Sequence, residues 1–230
     1  MTLALVLAAV AAATWYYQRQ QGRPGAGASS AARARRLRTP LVRLATLAGI
    51  STARGRMADQ CDAGAVGEKR TAARLDPLAS QGWMVVHDRA IPGSAANIDH
   101  LLVSPARQRR AGVVFLVDSK LWGSRYTLRA DGDRLLLDAP NGHTKNVTGR
   151  LRGLHHGTRI VARELGCPVI PLVSMEGPRI QGGQLLVDGV RIVPADQVVI
   201  ELRKLARRYA APGPHPGARA GALFKPYGRK

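Results

Sequence analysis

The residues best suited to chemistry in this chain are two aspartates and a lysine on two neighbouring predicted strands. Asp99 lies in the apolar segment 97–104, and Asp118 and Lys120 lie near the end of segment 112–120. Both segments are short, rich in branched residues and separated by a basic loop. This pattern is typical of the two strands of a β-hairpin.

The turn of this hairpin fixes which side chains meet. If Ser104 and Val113 close the turn, Asp99 lies opposite Asp118, and Lys120 lies two residues further along the same strand. Side chains alternate between the two faces of a strand, so both carboxylates and the ammonium share one face. Two carboxylates can hold Mg²⁺ or Mn²⁺, and a lysine can hold a phosphate or orient an attacking water. This is the chemistry of metal-assisted phosphodiester cleavage, but the spacing alone leaves open the simpler interpretation of strand-end acids and a solvated lysine.

Further helices and strands must position these residues. Glu68 lies near the start of a predicted helix, where an acid is also favourable simply through the helix dipole. Strands and helices alternate along parts of the chain, which predicts a mixed sheet with helices on its faces. The predicted elements are a helix at 64–75, a strand at 83–89, a hairpin around Asp131-Gly132-Asp133, a helix at 147–165, a strand at 169–175 and a helix at 195–209.

Four sequence blocks carry a resemblance to a known family. They are Gly64-Ala65-Val66-Gly67-Glu68, Ile98-Asp99-His100-Leu101-Leu102-Val103, Val117-Asp118-Ser119-Lys120 followed by Trp122-Gly123, and Ile192-Val193-Pro194. In this order they resemble a NERD domain (nuclease-related domain), a branch of the PD-(D/E)xK, restriction-endonuclease-like superfamily. The resemblance implies an α/β fold. More specifically, it implies a mixed sheet of the α+β type with a restriction-endonuclease-like αβββαβ core. It also implies a catalytic set of Glu68, Asp99, Asp118 and Lys120, in which Asp99, Asp118 and Glu68 bind Mg²⁺ or Mn²⁺.

Two positions depart from the family pattern. Asp118 stands where the family more often has glutamate, which shortens the ligand by one methylene, and Leu121 stands where an asparagine commonly follows the lysine. The predicted function is a membrane-anchored, metal-dependent nuclease that hydrolyses DNA. Because Leu121 removes a polar neighbour, the alternative is a catalytically inactive, membrane-tethered nucleic-acid-binding or scaffold protein.

The positive charge of the chain is concentrated in its flanks. The formal net charge is +20, and residues 18–56 and 203–230 contain nine and eight cations respectively and no acid. The other 18 cations, in the central segment, are nearly balanced by all 15 acids. Such basic flanks can bind nucleic-acid phosphates or anionic membrane lipid.

The amino-terminal segment predicts a membrane anchor. Residues 1–17 carry no charged side chain and end in Trp15-Tyr16-Tyr17, followed by arginines. Extension to residue 20 gives the length needed to cross about 30 Å of hydrocarbon. The cations that follow predict a single-pass protein whose domain faces the cytoplasm. A cleaved signal peptide of a secreted protein is the competing interpretation, since Ala11-Ala12-Ala13 offers small residues for cleavage.

These patterns divide the chain into four predicted regions. They are an anchor at 1–20, a basic juxtamembrane linker at 21–58, the nuclease-like domain at 59–209 and a basic disordered tail at 210–230. Leucines and arginines at 34–47 suggest either a basic amphipathic piece on the membrane or a solvated linker helix. His100 is predicted to face away from Asp99, and Cys61 and Cys167 to be free thiols.

Overall fold

The computed structural model describes residues 25–94, 96–106, 110–210 and 213–227. The α-helices are α1 (Ala28–Leu37), α2 (Pro40–Leu47), α3 (Ala53–Leu75), α4 (Arg152–Leu165), α5 (Val198–Tyr209) and α6 (Gly217–Leu223). The strands are β1 (Met84–Ala90), β2 (Asn97–Val103), β3 (Val114–Leu121), β4 (Thr127–Asp131), β5 (Arg134–Asp138), β6 (Thr144–Asn146), β7 (Val169–Glu176), β8 (Arg179–Ile180), β9 (Leu185–Val187) and β10 (Val190–Pro194).

The larger sheet has six strands in the order β1-β2-β3-β7-β10-β9. The first three strands pair antiparallel, β7 pairs parallel with both β3 and β10, and β9 closes the edge antiparallel. Because β3 and β7 are parallel, the chain must cross over between them, and α4 provides the helix of that connection. The order α3-β1-β2-β3-α4-β7 matches the predicted αβββαβ core, and the fold is a mixed α+β arrangement.

A smaller sheet is formed by β4, β5 and β6, which lie between β3 and α4 in the chain, together with β8, which follows β7. Its strands run in the order β6-β5-β4-β8, and β4 and β5 form the hairpin predicted around Asp131-Gly132-Asp133. Gly132 takes a positive φ of 57° at the turn, a conformation that glycine adopts without a steric penalty.

Helices cover both faces of the larger sheet. On one face, Leu154, Val161 and Leu165 of α4 pack in a buried cluster with Leu101 and Leu116. The opposite face contains a second cluster, formed where α3 and α5 pack on the sheet. Its members include Leu75, Phe115, Val117, Leu172 and Leu202. The sheet is therefore the middle of three layers, and its central strand β3 has a continuous apolar run at 114–117 because both faces are buried there.

The predicted register of the β2–β3 hairpin is confirmed. The amide of Ser104 donates to the carbonyl of Val113 at 3.0 Å, and His100 pairs with Val117. Continuing this ladder by one residue places Asp99 opposite Asp118.

Both flanks of the domain contain more structure than the sequence patterns indicated. The predicted linker at 21–58 contains α1, α2 and the start of α3, and Pro40 begins α2. A proline is tolerated there because the first helical residue needs no amide hydrogen bond. The predicted disordered tail contains α6, which is followed by the fully buried Phe224. Prolines and glycines set the expectation of disorder, but the apolar residues among them are packed against the core.

The predicted membrane anchor at residues 1–20 lies outside the described residues. Among the residues that are described, none of the helices combines the length and apolar character needed to cross a membrane.

Candidate active site

Asp99, Asp118 and Lys120 lie together at one end of the larger sheet. Asp99 shares a strand face with Leu101, and Asp118 shares one with Leu116, so all three polar side chains lie on the α4 side. The side chains of Asp118 and Lys120 are 19% and 22% exposed, which leaves both accessible from solvent at the strand ends. The predicted shared face is therefore present.

Each member of this group has a defined contact. The backbone amide of Ser119 donates to Oδ2 of Asp99 at 3.0 Å, which fixes that carboxylate against β3. Nζ of Lys120 lies 2.5 Å from Oδ2 of Asp118 and forms an ion pair with it. The ammonium of Lys120 therefore already occupies the buried Oδ2 of Asp118.

Glu68 reaches the same group from α3. The preceding residue, Gly67, packs on Leu121 at the end of β3, and a Cβ added at Gly67 would lie 3.0 Å from Cβ of Leu121. This close approach carries α3 past the strand end, and Glu68 is only 4% exposed there. Leu121, which departs from the family pattern, therefore acts as the packing partner of the glycine beside Glu68.

Glu68 accepts hydrogen bonds from the start of α1. The amide of Gly27 donates to Oε2 at 3.0 Å, and the hydroxyl of Ser30 donates to Oε1 at 2.5 Å. The sequence analysis missed both residues, because no local pattern connects positions 41 and 38 residues apart.

Asp88 is a further carboxylate of this group that the sequence analysis missed. It is 1% exposed, and its negative charge contributes to raising the pKa of Glu68. Its φ of 48° is in the left-handed region, which is uncommon for a residue inside a strand. The only local signal was an acid near the end of a predicted strand.

The carboxylates shift one another's proton affinities. Burial raises the pKa of Glu68 to about 7, with Asp88 and Asp118 adding to the increase and the hydrogen bonds from Ser30 and Gly27 opposing it. Burial also raises the pKa of Asp99 well above its usual value, and the charges of Glu68 and Asp118 act in the same direction. A group of acids that disfavour each other's ionisation is a favourable environment for a cation.

Lys120 remains a cation in this setting. Burial alone would lower its pKa, but the carboxylates of Asp118, Asp99 and Glu68 outweigh that effect and raise it. The ammonium is therefore charged at neutral pH and is available to a substrate anion.

Comparison with known proteins agrees with this geometry. Residues 63–173 match the family model of the nuclease-related domain. This part of the chain is a NERD domain. The family belongs to the PD-(D/E)xK-like nuclease superfamily, so the resemblance to this family is confirmed. Three of the four sequence blocks lie within the matched residues, and the block at 192–194 lies beyond them. Neither a curated protein nor a solved structure matches the chain.

The donor set of the NERD domain suits a hard divalent cation. Carboxylate oxygens are the ligands that Mg²⁺ and Mn²⁺ prefer, and the carboxylates of Glu68, Asp99 and Asp118 are close enough for their charges to act on one another. No group of three or more His, Cys, Asp or Glu side chains in the described ranges is arranged as a ready-made metal cage. This is compatible with Mg²⁺, which keeps several waters and needs only one or two carboxylates beside a substrate phosphate.

His100 faces away from the site, as predicted. Its Nε2 lies 2.8 Å from Oγ of Ser119, and its Nδ1 lies 2.7 Å from Nδ1 of His87. The other ring nitrogen of His87 lies 2.8 Å from Oδ1 of Asp76. If Ser119 donates to His100, His100 to His87 and His87 to Asp76, two neutral rings satisfy all three contacts. These residues support β1, β2 and β3 from behind the carboxylates.

Cys61 and Cys167 are free thiols, as predicted.

Proposed function

We propose that this protein is a metal-dependent nuclease that hydrolyses DNA phosphodiester bonds at Asp99, Asp118, Lys120 and Glu68. The observation that carries the proposal is that two aspartates and a charged lysine lie on one face of the larger sheet, with a buried glutamate beside them. The NERD match supports a nuclease-related function, and the grouping of the Glu68, Asp99 and Asp118 carboxylates supports a cation at the site.

Each residue has a role that follows from its chemistry. Asp99 and Asp118 would hold the cation, and Glu68 would complete the site directly or through a water. Bound Mg²⁺ or Mn²⁺ would supply Lewis-acid stabilisation of phosphoryl oxygens and activate a water. Lys120 would position the attacking water and stabilise the charge that develops on the phosphate, because it stays protonated. The Ser119 amide holds the Asp99 carboxylate in place throughout.

A nucleic acid is the proposed class of substrate because the helix that contacts Glu68 also exposes cations. Helix α1 contacts Glu68 through its first turn and exposes Arg33, Arg35 and Arg36 further along. The net charge of +20 is concentrated in the two flanks of the chain. Phosphate neutralisation by such cations provides affinity without sequence preference.

Metal dependence is the first test of this proposal. The full-length chain incubated with supercoiled plasmid DNA should nick or linearise it with Mg²⁺ or Mn²⁺ and leave it intact with EDTA. Gel mobility in both conditions measures binding separately from cleavage. Equal binding with EDTA and Mg²⁺, combined with no cleavage, would instead support the inactive nucleic-acid-binding scaffold.

We also propose that residues 1–20 anchor the protein as a single membrane span, with the NERD domain in the cytoplasm. The support is the uncharged run that ends in Trp15-Tyr16-Tyr17 and the nine cations of residues 18–56. Each cation near the membrane surface can add about 1 kcal/mol of attraction to anionic lipid.

Cell fractionation tests this placement. A carboxy-terminal tag should sediment with membranes, require detergent for release and resist protease added to intact spheroplasts. A tag found in the medium would indicate a cleaved signal peptide. A tag digested by the external protease would show that the domain lies outside the membrane, contrary to the proposed orientation.

A further inference from the structure

The first turn of α1 makes the described hydrogen bonds to Glu68. Oε2 accepts from the Gly27 amide at 3.0 Å, and Oε1 accepts from the Ser30 hydroxyl at 2.5 Å. Helix α1 lies outside residues 63–173, the part of the chain that matches the NERD model. A segment beyond the matched domain therefore sets the orientation of one of its predicted catalytic carboxylates.

The same turn is tied to the strands that carry the other acids. Oδ2 of Asp88 accepts from the Ser29 amide at 2.7 Å, and Oδ1 accepts from Nδ2 of Asn97 at 3.0 Å. Nδ2 of Asn97 also donates to the Ser29 hydroxyl at 2.9 Å. Asn97 lies two residues before Asp99 on β2, so this network connects α1, β1 and the strand of Asp99.

Two backbone features show that this junction is built for close contact. Gly27 has a φ of 77°, and a Cβ at this position would lie 2.6 Å from the carbonyl oxygen of Ala65 on α3. Asp88, with its φ of 48°, is held in the left-handed region, which is uncommon for a residue inside a strand. Such strain persists only where the surrounding contacts determine the conformation. Here the side chain of Asp88 accepts from Ser29 and Asn97, and its backbone carbonyl accepts from the Tyr227 amide at 2.8 Å.

Apolar burial contributes little to the location of α1. Ala34 is the helix's single buried residue. After the helix, Arg38 forms ion pairs with Asp59 and Asp62 on α3. The position of its first turn therefore depends mainly on the polar contacts to Glu68 and Asp88.

These hydrogen bonds leave Glu68 able to act. A carboxylate oxygen has two lone pairs, and each oxygen of Glu68 accepts one of these described hydrogen bonds. Carboxylates that bind metal ions are commonly held by outer hydrogen bonds, and loss of such a partner typically lowers metal affinity or activity about 10- to 100-fold. The contacts to α1 have this form.

We propose that Gly27, Ser30 and Asp88 are positioning residues of the nuclease centre, so that α1 is a working part of a site otherwise contained in the NERD domain. Gly27 and Ser30 hold Glu68, and Asp88 holds the turn that carries them. The inference rests on the proposed nuclease function and extends the site to a segment that the family model does not cover.

Substitution of Ser30 in the full-length chain tests the proposal. Ser30→Ala should lower kcat for DNA cleavage and the affinity for Mn²⁺, each about tenfold. It should leave KM for DNA nearly unchanged, because the hydroxyl faces Glu68. Ser30→Thr retains a hydroxyl and should restore most of the activity. Ser80→Ala is the matched control, because that exposed hydroxyl bonds only to Pro77 in its own turn.

Asp88→Asn provides a second test. It removes the charge beside Glu68 and should also weaken Mn²⁺ binding. Isothermal titration with Mn²⁺ reads the effect without cleavage, and thermal unfolding shows whether each variant is folded. Unchanged Mn²⁺ affinity and kcat in folded Ser30→Ala would overturn the inference. A rise in cleavage would overturn it too, because α1 would then block the site. If the unsubstituted chain neither cuts DNA nor binds Mn²⁺, the proposed function fails, and this inference fails with it.

Discussion

Replacing Asp118 with asparagine is expected to lower metal-dependent DNA cleavage by roughly a hundredfold or more. Asparagine keeps the size of the side chain and one oxygen but removes the negative charge that would hold the cation. It also removes the ion pair to Nζ of Lys120, which lies 2.5 Å from Oδ2. Lys120→Met should have an effect of similar size, because it keeps an apolar stem and removes the cation that faces the phosphate. Initial rates of plasmid nicking at saturating Mg²⁺ measure both effects.

Two exposed residues of the β4–β5–β6 region serve as matched controls for these substitutions. Asp133 lies in the β4–β5 turn and Lys145 on β6, and both are exposed. Asp133→Asn and Lys145→Met change the net charge in the same way and should retain cleavage. Full activity in both Asp118→Asn and Lys120→Met would exclude this site as the catalytic centre.

The relative placement of Asp99, Asp118 and Lys120 could be predicted because it depends on local rules. Alternation of side chains along a strand and the turn between Ser104 and Val113 together determine which residues share a face. Both are properties of a short, continuous piece of sequence. The observed ladder, in which the Ser104 amide donates to the Val113 carbonyl, therefore agrees with the prediction.

The partners of Glu68 could not be predicted in the same way. Gly27 and Ser30 are 41 and 38 residues away from it, and only the packing of α1 on α3 brings them together. Their surroundings of small residues suggested a flexible linker. Gly27 permits α1 to approach Ala65 closely, which gives this helix a defined position although few of its residues are apolar. That close approach is not visible in the sequence.

The packing of the carboxy-terminal flank could not be predicted from the sequence either. Its prolines and glycines are typical of disorder. Yet Ala220 and Phe224 are fully buried, and the amide of Ala90 on β1 donates to the carbonyl of Lys225 at 2.9 Å. Apolar residues one helical turn apart and backbone hydrogen bonds to β1 together hold this flank against the domain, on an apolar surface that composition does not reveal.

Glu68→Gln is expected to have opposite effects on stability and on activity. Burial raises the pKa of Glu68 to about 7, whereas a glutamate in an unfolded chain has its ordinary value of about 4.3. Between these two values the folded state binds a proton that the unfolded state has lost, so the stability of the metal-free protein falls as pH rises through this range. Asp99 acts in the same direction, because its pKa is also raised. A neutral glutamine removes the contribution of Glu68, which amounts to at most about 4 kcal/mol.

The glutamine can also retain the contacts to α1. Its amide oxygen can accept from the Gly27 amide, and its NH₂ group can donate to the Ser30 hydroxyl. In EDTA, Glu68→Gln should therefore unfold several degrees above the unsubstituted chain at pH 8, and the difference should shrink towards pH 4.5. Glu164→Gln, at a partly exposed site on α4, should show little of this pH dependence. Cleavage with Mg²⁺ should fall in Glu68→Gln, because the carboxylate that disfavours folding is the one proposed to complete the metal site. Equal unfolding temperatures for Glu68→Gln and the unsubstituted chain at pH 8 would show that the Glu68 carboxylate is not destabilised by its burial.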